Sequence, residues 1–164
     1  PSRGLGDVYK RQASGITINS EEVSSADINL EGGLGLWDDL VIRKAEGELD
    51  YAMCANSTNA LGCLAASESA GRTDYKVFGI DDEADQLAAL TKENGIYYAT
   101  VAQNPFEIGV RVMEAAVHAV EGQDDGIVKV DGILVTRDTV QEYVANREKA
   151  LEELKDYLAI ITAS

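Results

Sequence analysis

Two adjacent carboxylates, Asp81 and Asp82, follow directly on the apolar run Val77-Phe78-Gly79-Ile80. Residues of this type at the end of a buried strand suit four roles: a catalytic pair, a metal site, a helix cap or a ligand contact. Two carboxyls that cleave a glycosidic bond must stand on either side of it. Neighbours at a strand end point in different directions, so adjacent acids make a poor catalytic pair. A metal site wants further ligands. The sequence has one histidine, His118, which falls in a helical stripe and reads as a helix-surface or packing residue. The motifs GxSxG and HExxH and the Walker phosphate loop do not occur. The Gly-rich run "EGGLGLW" lacks GxGxxG spacing, and no strong strand leads directly into it. Cys54 and Cys63 match neither a zinc spacing nor a CxxC redox motif, and read as buried free thiols. The best division of labour gives Asp81 to a ligand and Asp82 to the N-terminus of the next helix.

Asp81 has counterparts. Asn56 ends the apolar run "LDYAMCAN", and Gln103 ends "IYYATVAQ". In open α/β sheets ligands bind beyond the carboxyl ends of the strands. There the sequence puts an amide, a carboxylate and an amide, with no Lys or Arg. Such a set both donates and accepts hydrogen bonds, which suits the hydroxyls of a neutral sugar or polyol and not a phosphate. Each residue also has a plainer role: Asn56 as a turn residue, Asp81 as an N-cap, Gln103 as an exposed loop residue. The joint pattern outweighs its members because all three fall at one edge of one sheet.

The elements that must place these residues alternate in period. "GITIN" (15–19) reads as a short strand. "EGGLGLWDDLVIRKA" reads as a helix with Leu36, Leu40 and Val41 on one face, its start weakened by glycines. A strand over 49–56 leads to a helix with Ser57 as N-cap and Gly71 just past its end. The strand "YKVFGID" leads to the helix "DEADQLAALTKENG", stopped at Gly95. A strand over 96–103 leads to "NPFEIGVRVMEAAVHAVEG", with Asn104 as cap, Pro105 in the first turn and Glu107 completing a capping box. Its apolar stripe is Val112, Met113, Ala116, Val117 and Val120. "GIVKVDGILVT" (126–136) reads as one or two strands around Gly132. The chain closes on a long amphipathic helix with Asp138 and Gln141 as capping box and Val140, Val144, Leu151, Leu154 and Leu158 as stripe. Strands separated by helix-length segments predict an α/β fold: an open parallel sheet flanked by helices.

Composition narrows the partners. The 164 residues suit one domain or one lobe, and 45% hydrophobic with 26% charged residues is a globular balance. A net charge of −15 argues against nucleic acid or an anionic membrane as a direct partner. No apolar run is long enough to span a bilayer. Residues 1–12, "PSRGLGDVYKRQ", are basic and aperiodic and read as a leader foreign to the domain. The chain begins with Pro1 rather than Met, so a fragment or processed product is expected.

The segments "DYAMCANSTNALGCLAASESAGRTDYKVFGIDDEADQLAAL" and "YYATVAQNPFEIG" together resemble the C-terminal lobe of bacterial sugar-binding proteins of the ribose-binding type. These are solute receptors of ABC importers, and their fold is shared with lac-repressor-type effector domains. The resemblance covers roughly Ala13 to Val144. It implies one lobe of a two-lobe, type I periplasmic-binding fold whose N-terminal lobe is missing. It also implies that Asn56, Asp81 and Gln103 hydrogen-bond sugar hydroxyls. On this pattern residues 13–103 are the ligand-binding lobe. Residues 104–122 are a helix crossing to the other lobe, and 123–164 are a strand returning through the hinge and a C-terminal helix. No cofactor is implied. The implied partners are a sugar or polyol and, for the full-length protein, an ABC permease, in a periplasmic or other extracytoplasmic location. Two departures bear on the ligand. Ser57 stands where the family commonly has Asp, and Ile28 where an aromatic often stacks on the sugar, so ribose itself is not carried over. The part of the family's lobe that usually supplies a ligand-binding Arg is also missing. One lobe offers few contacts and leaves the ligand wet, so weak binding is expected of this chain. The alternatives are the effector domain of a cytoplasmic lac-repressor-type regulator, a sensor domain of a signalling receptor and, last, a doubly wound enzyme.

Overall fold

In the computed structural model the described residues are 15, 21, 23, 24, 27 and 29–162, with side chains described to residue 155. The expected leader, the strand expected over 15–19 (apart from Gly15) and Ile28 lie outside them. Among the described residues four strands, β1 (Tyr51–Met53), β2 (Lys76–Ile80), β3 (Tyr97–Ala102) and β4 (Ile133–Thr136), form one sheet in that order. The helices are α1 (Leu30–Arg43), α2 (Ser57–Ser69), α3 (Ala84–Thr91), α4 (Pro105–Val120) and α5 (Val140–Thr162). β1, β2 and β3 pair in parallel, so their carboxyl ends share one edge. β4 departs from the parallel expectation and runs antiparallel to β3. No crossover helix returns the chain to the opposite end before β4. Arg137, just past β4, fixes that end by donating to the carbonyls of Gly95 and Tyr97.

One face of the sheet carries the core. Ala52, Val77, Tyr97, Ala102 and Val135 are buried with Leu87, Leu90 and Val140 from the helices. The alternate positions Met53 and Leu134 are 63% and 64% exposed. The described helices cover one face of the described sheet. α4 has no buried residue. Its apolar stripe formed as the spacing predicts, but Met113 is 65% and Val120 89% exposed.

Helices α1 and α2 cross at glycines. A Cβ on Gly62 would stand 2.6 Å from the carbonyl carbon of Gly33 and from the nitrogen of Leu34. Two backbones this close bring Trp37, Leu40 and Val41 of α1 into the same core as Ala60, Cys63 and Ala66 of α2. Cys54 and Cys63 are buried free thiols as expected. Contact with the Cys63 thiol and burial push the Cys54 thiol far above its ordinary value, which keeps it from the reactive thiolate form.

Arg72 ties α1 to β2. Its guanidinium donates to the Val41, Lys44 and Ala45 carbonyls at the end of α1 and grips both carboxylate oxygens of Asp74, at 2.6 and 2.9 Å. That grip, with a bond from the Gly47 amide, holds the Asp74 carboxyl well below the usual carboxylate range. A depressed carboxyl stabilises the fold fully above its unfolded value, about 3.9, and less as pH falls below it. Asp74→Asn is therefore expected to cost about 2 kcal/mol at pH 7. Thermal melts should show the gap to the parent chain narrowing steadily as pH falls below about 4. A gap that does not change with pH would show that shape, not charge, holds the pair.

Candidate functional site

Asn56, three residues past β1, and Asp81 and Gln103, directly after β2 and β3, are placed by their local sequence. Asn56 follows β1 with extended backbone, and its Oδ1 accepts from the Asn59 amide at 2.9 Å and the Thr58 hydroxyl at 3.0 Å. The N-cap of α2 is thus Asn56 and not Ser57 as the sequence suggested. An Asn side chain reaches the amide three residues on as readily as Ser does, and here the extended residue is Asn56. Its carbonyl oxygen is engaged by the helix, while its amide group donates to no group among the described residues.

Asp81 follows β2 with φ 81°, in the left-handed region that a residue with a Cβ enters at a cost of about 1–2 kcal/mol. Its backbone is held on both sides. Its amide donates to the Val101 carbonyl at 3.0 Å, and its own carbonyl accepts from the buried Thr100 hydroxyl at 2.7 Å. Its carboxylate Oδ2 accepts from the Ser57 amide at 3.1 Å, and Oδ1 accepts from Gln103 Nε2. Gln103, just past β3, is exposed. The structure therefore joins Asp81 directly to Gln103 and, through Ser57, to the residue beside Asn56. A carboxylate oxygen has two acceptor sites. Among the described residues each oxygen of Asp81 has one bond, which leaves both an acceptor site for a further donor. Gln103 Oε1 adds an acceptor and the Asn56 amide adds donors. This edge can grip a group that is both donor and acceptor.

Asp82 does not cap the following helix. The N-cap of α3 is Glu83, which forms a reciprocal capping box with Gln86. The left-handed turn at Asp81 delays the helix, which begins at Ala84. Asp82 turns instead toward α5. Its Oδ2 accepts from the Tyr143 hydroxyl at 2.7 Å and lies 3.2 Å from Arg147, which also donates to the Asp82 carbonyl at 2.8 Å. Burial, then the bond to Asp82, pushes the Tyr143 phenol up to about 12. α3 ends at Thr91, before the expected stop at Gly95.

His118 lies half-buried on α4 with Nδ1 2.8 Å from the Asp125 carboxylate. Among the described residues no group of His, Cys, Asp and Glu is arranged to hold a metal ion, and no helix is long and apolar enough to cross a membrane. The site also uses groups that the strand-end pattern does not reveal. The Ser57 amide, Thr100, Tyr143 and Arg147 act on Asp81 or its neighbour from 19 to 65 residues away.

A family model described as a periplasmic binding protein domain matches residues 3–124. The chain belongs to that family. Among its relatives is the ribose import binding protein RbsB of Salmonella typhimurium, 28% identical over 122 residues, which are 74% of this chain and 40% of the relative. The chain thus spans less than half the length of the curated relatives it matches. An ABC transporter solute binding protein from Agrobacterium vitis, solved with bound allitol, superposes with a TM-score of 0.73 at 21% identity, over 87% of this chain and 50% of that one. Another from Bacillus halodurans, solved with bound myo-inositol, is 30% identical with a TM-score of 0.61, over 73% of this chain and 41% of that one. The shared architecture is one lobe of the type I periplasmic-binding fold.

Proposed function

We propose that this chain is the ligand-binding lobe of an extracytoplasmic solute receptor that delivers a sugar or related polyol to an ABC permease. The observation that carries this reading is the meeting of Asp81 and Gln103 beside Asn56 at the carboxyl edge of the parallel strands. Asp81 and Gln103 Oε1 would accept from ligand hydroxyls, and the Asn56 amide would donate to one. A neutral polyol meets all three demands, whereas a phosphate meets the Asp81 carboxylate with no cation bonded to it among the described residues. The relatives' names, an import binding protein and solute receptors with bound polyols, support a receptor over a lac-repressor-type effector domain. Binding without turnover fits a site whose carboxylates are adjacent in sequence and turned to different partners. Residues 104–122 would cross to the second lobe of the receptor, in keeping with an α4 that buries nothing here. Residues 123–164 would return through the hinge.

The test is an NMR titration of this chain with allitol, myo-inositol and D-ribose. A single lobe leaves the ligand largely wet, so affinity is expected at about millimolar or weaker. At least one polyol should shift the side-chain amide signals of Asn56 and Gln103 and the backbone amide of Ser57. Shifts confined to other surfaces, or consumption of the polyol, would overturn the assignment.

A further inference from the structure

We propose that Tyr143 and Arg147, on α5, are positioning residues for the Asp81 carboxylate. The inference rests on the ligand role given to Asp81 above. It starts from the run of carbonyls that leaves β2. The Ile80 carbonyl accepts from Gln86 Nε2 at 3.0 Å, that of Asp81 from the Thr100 hydroxyl at 2.7 Å, and that of Asp82 from Arg147 at 2.8 Å. The next amide, Glu83, donates to Gln86 Oε1 at 3.2 Å. Three successive carbonyls are thus fixed by side chains from three elements, α3, β3 and α5. A loop needing only to connect a strand to a helix has no use for that many ties, since water satisfies exposed carbonyls equally well.

The strained residue lies in the middle of this run. A left-handed Asp persists only where its surroundings over-determine it. Gln86 and Thr100 hold the strand side. On the far side Gln86 takes the Glu83 amide, but Asp82 itself is held by α5, through Arg147 on its carbonyl and through Tyr143 and Arg147 on its carboxylate. Without these ties Asp82 is free to rotate into the helical turn that its sequence favours. Asp81 then relaxes from φ 81° and its carboxylate leaves the Ser57 amide. Anchoring of α5 alone does not explain the arrangement. α5 already packs through the buried Val140, and a surface contact would not require a guanidinium aimed at a backbone carbonyl in the binding loop.

The experiment is hydrogen exchange by NMR on the full chain and on Tyr143→Phe, Arg147→Met and Arg147→Lys. The reporter is the Ser57 amide, whose only protein acceptor among the described residues is Asp81 Oδ2. Loss of one loop tie should speed its exchange about tenfold, the equivalent of one hydrogen bond. The amides of β3, at the sheet centre, should keep the parent rate. Arg147→Lys, which retains a donor for the Asp82 carbonyl, should restore most of the protection. Unchanged Ser57 exchange with faster exchange along α5 would show that the contacts merely anchor the helix, and would overturn the proposal. So would equal acceleration at every core amide. Because this readout needs no sugar, it stands apart from the polyol titration. A chain that binds no polyol yet shows the Ser57 effect loses the receptor reading and keeps the positioning. A chain that binds polyol equally in all variants keeps the receptor reading and loses the positioning.

Discussion

Gly62→Ala is expected to destabilise the chain by about 3 kcal/mol, the upper part of the range for overpacking a core. The new methyl would stand 2.6 Å from two backbone atoms of α1, the Gly33 carbonyl carbon and the Leu34 nitrogen. Neither belongs to a side chain that could swing aside, so the helices must part. Parting them opens voids around Trp37, Leu40 and Val41, which pack in the core beside Ala60 and Cys63. The matched control lies two residues past Gly33 on α1. A Cβ on Gly35 meets nothing within 4 Å, so Gly35→Ala should remove only the glycine penalty in a helix and stabilise by about 0.5–1 kcal/mol. Urea denaturation of the two variants beside the parent measures both effects. Equal effects of the same sign would show that helix propensity governs both sites. The crossing also bears on the site, because a Cβ on Gly33 would stand 2.9 Å from the carbonyl of Thr58, in the first turn of the helix that Asn56 caps. A shift of α2 therefore displaces Asn56 and Ser57 together.

The glycines show where the sequence is legible and where it is not. "EGGLGLW" can be excluded as a nucleotide loop on spacing alone, but its purpose depends on Gly62, 29 residues from Gly33, and no local pattern announces a pair that distant. Period and turn chemistry, which are local, did carry through. The helix over 30–43, the αL cap at Asn104 with Pro105 behind it and the three parallel strands stand close to where the apolar spacing puts them. The placing of Asn56, Asp81 and Gln103 beyond the strands is legible because a parallel sheet aligns the carboxyl ends of its strands by construction, although β1 ends at Met53, three residues before Asn56. The errors arose where two residues compete for one role. Asn56 and Ser57 both suit an N-cap, and Asp82 and Glu83 both suit the next one. In each case the backbone at the strand end decides, extended at Asn56 and left-handed at Asp81. The direction of β4 was hidden for a similar reason, since "GILVT" has the same period whichever way it runs. The ties of Tyr143 and Arg147 to Asp82 lie 61 and 65 residues apart in sequence and leave no periodic trace at all.

Asp81→Gly is expected to abolish the polyol response while leaving the fold nearly as stable as before. Two opposing effects make this substitution the sharpest test of the site. Glycine adopts the left-handed backbone of position 81 without the cost of about 1–2 kcal/mol that a Cβ carries there. Against that gain, the Ser57 amide and Gln103 lose a charged acceptor. The site is half-open, so water replaces much of what they lose. Net stability should change by about 1 kcal/mol or less. Binding has no such compensation. Hydrogen bonds to a carboxylate contribute about 1.5–3 kcal/mol each, so the affinity for a polyol should fall at least tenfold. In an already weak titration that means no measurable shift at the Asn56 or Gln103 amides. Asp81→Asn is expected to fall short of rescue. Two donors, the Ser57 amide and Gln103 Nε2, converge on the two carboxylate oxygens, and an amide offers an acceptor to only one of them. The melting curve and the titration, recorded on the same samples, separate the two roles. A lowered melting temperature with an unchanged polyol response below it would make Asp81 a structural turn residue. Loss of response on an intact fold would make its carboxylate the acceptor around which the strand ends are built.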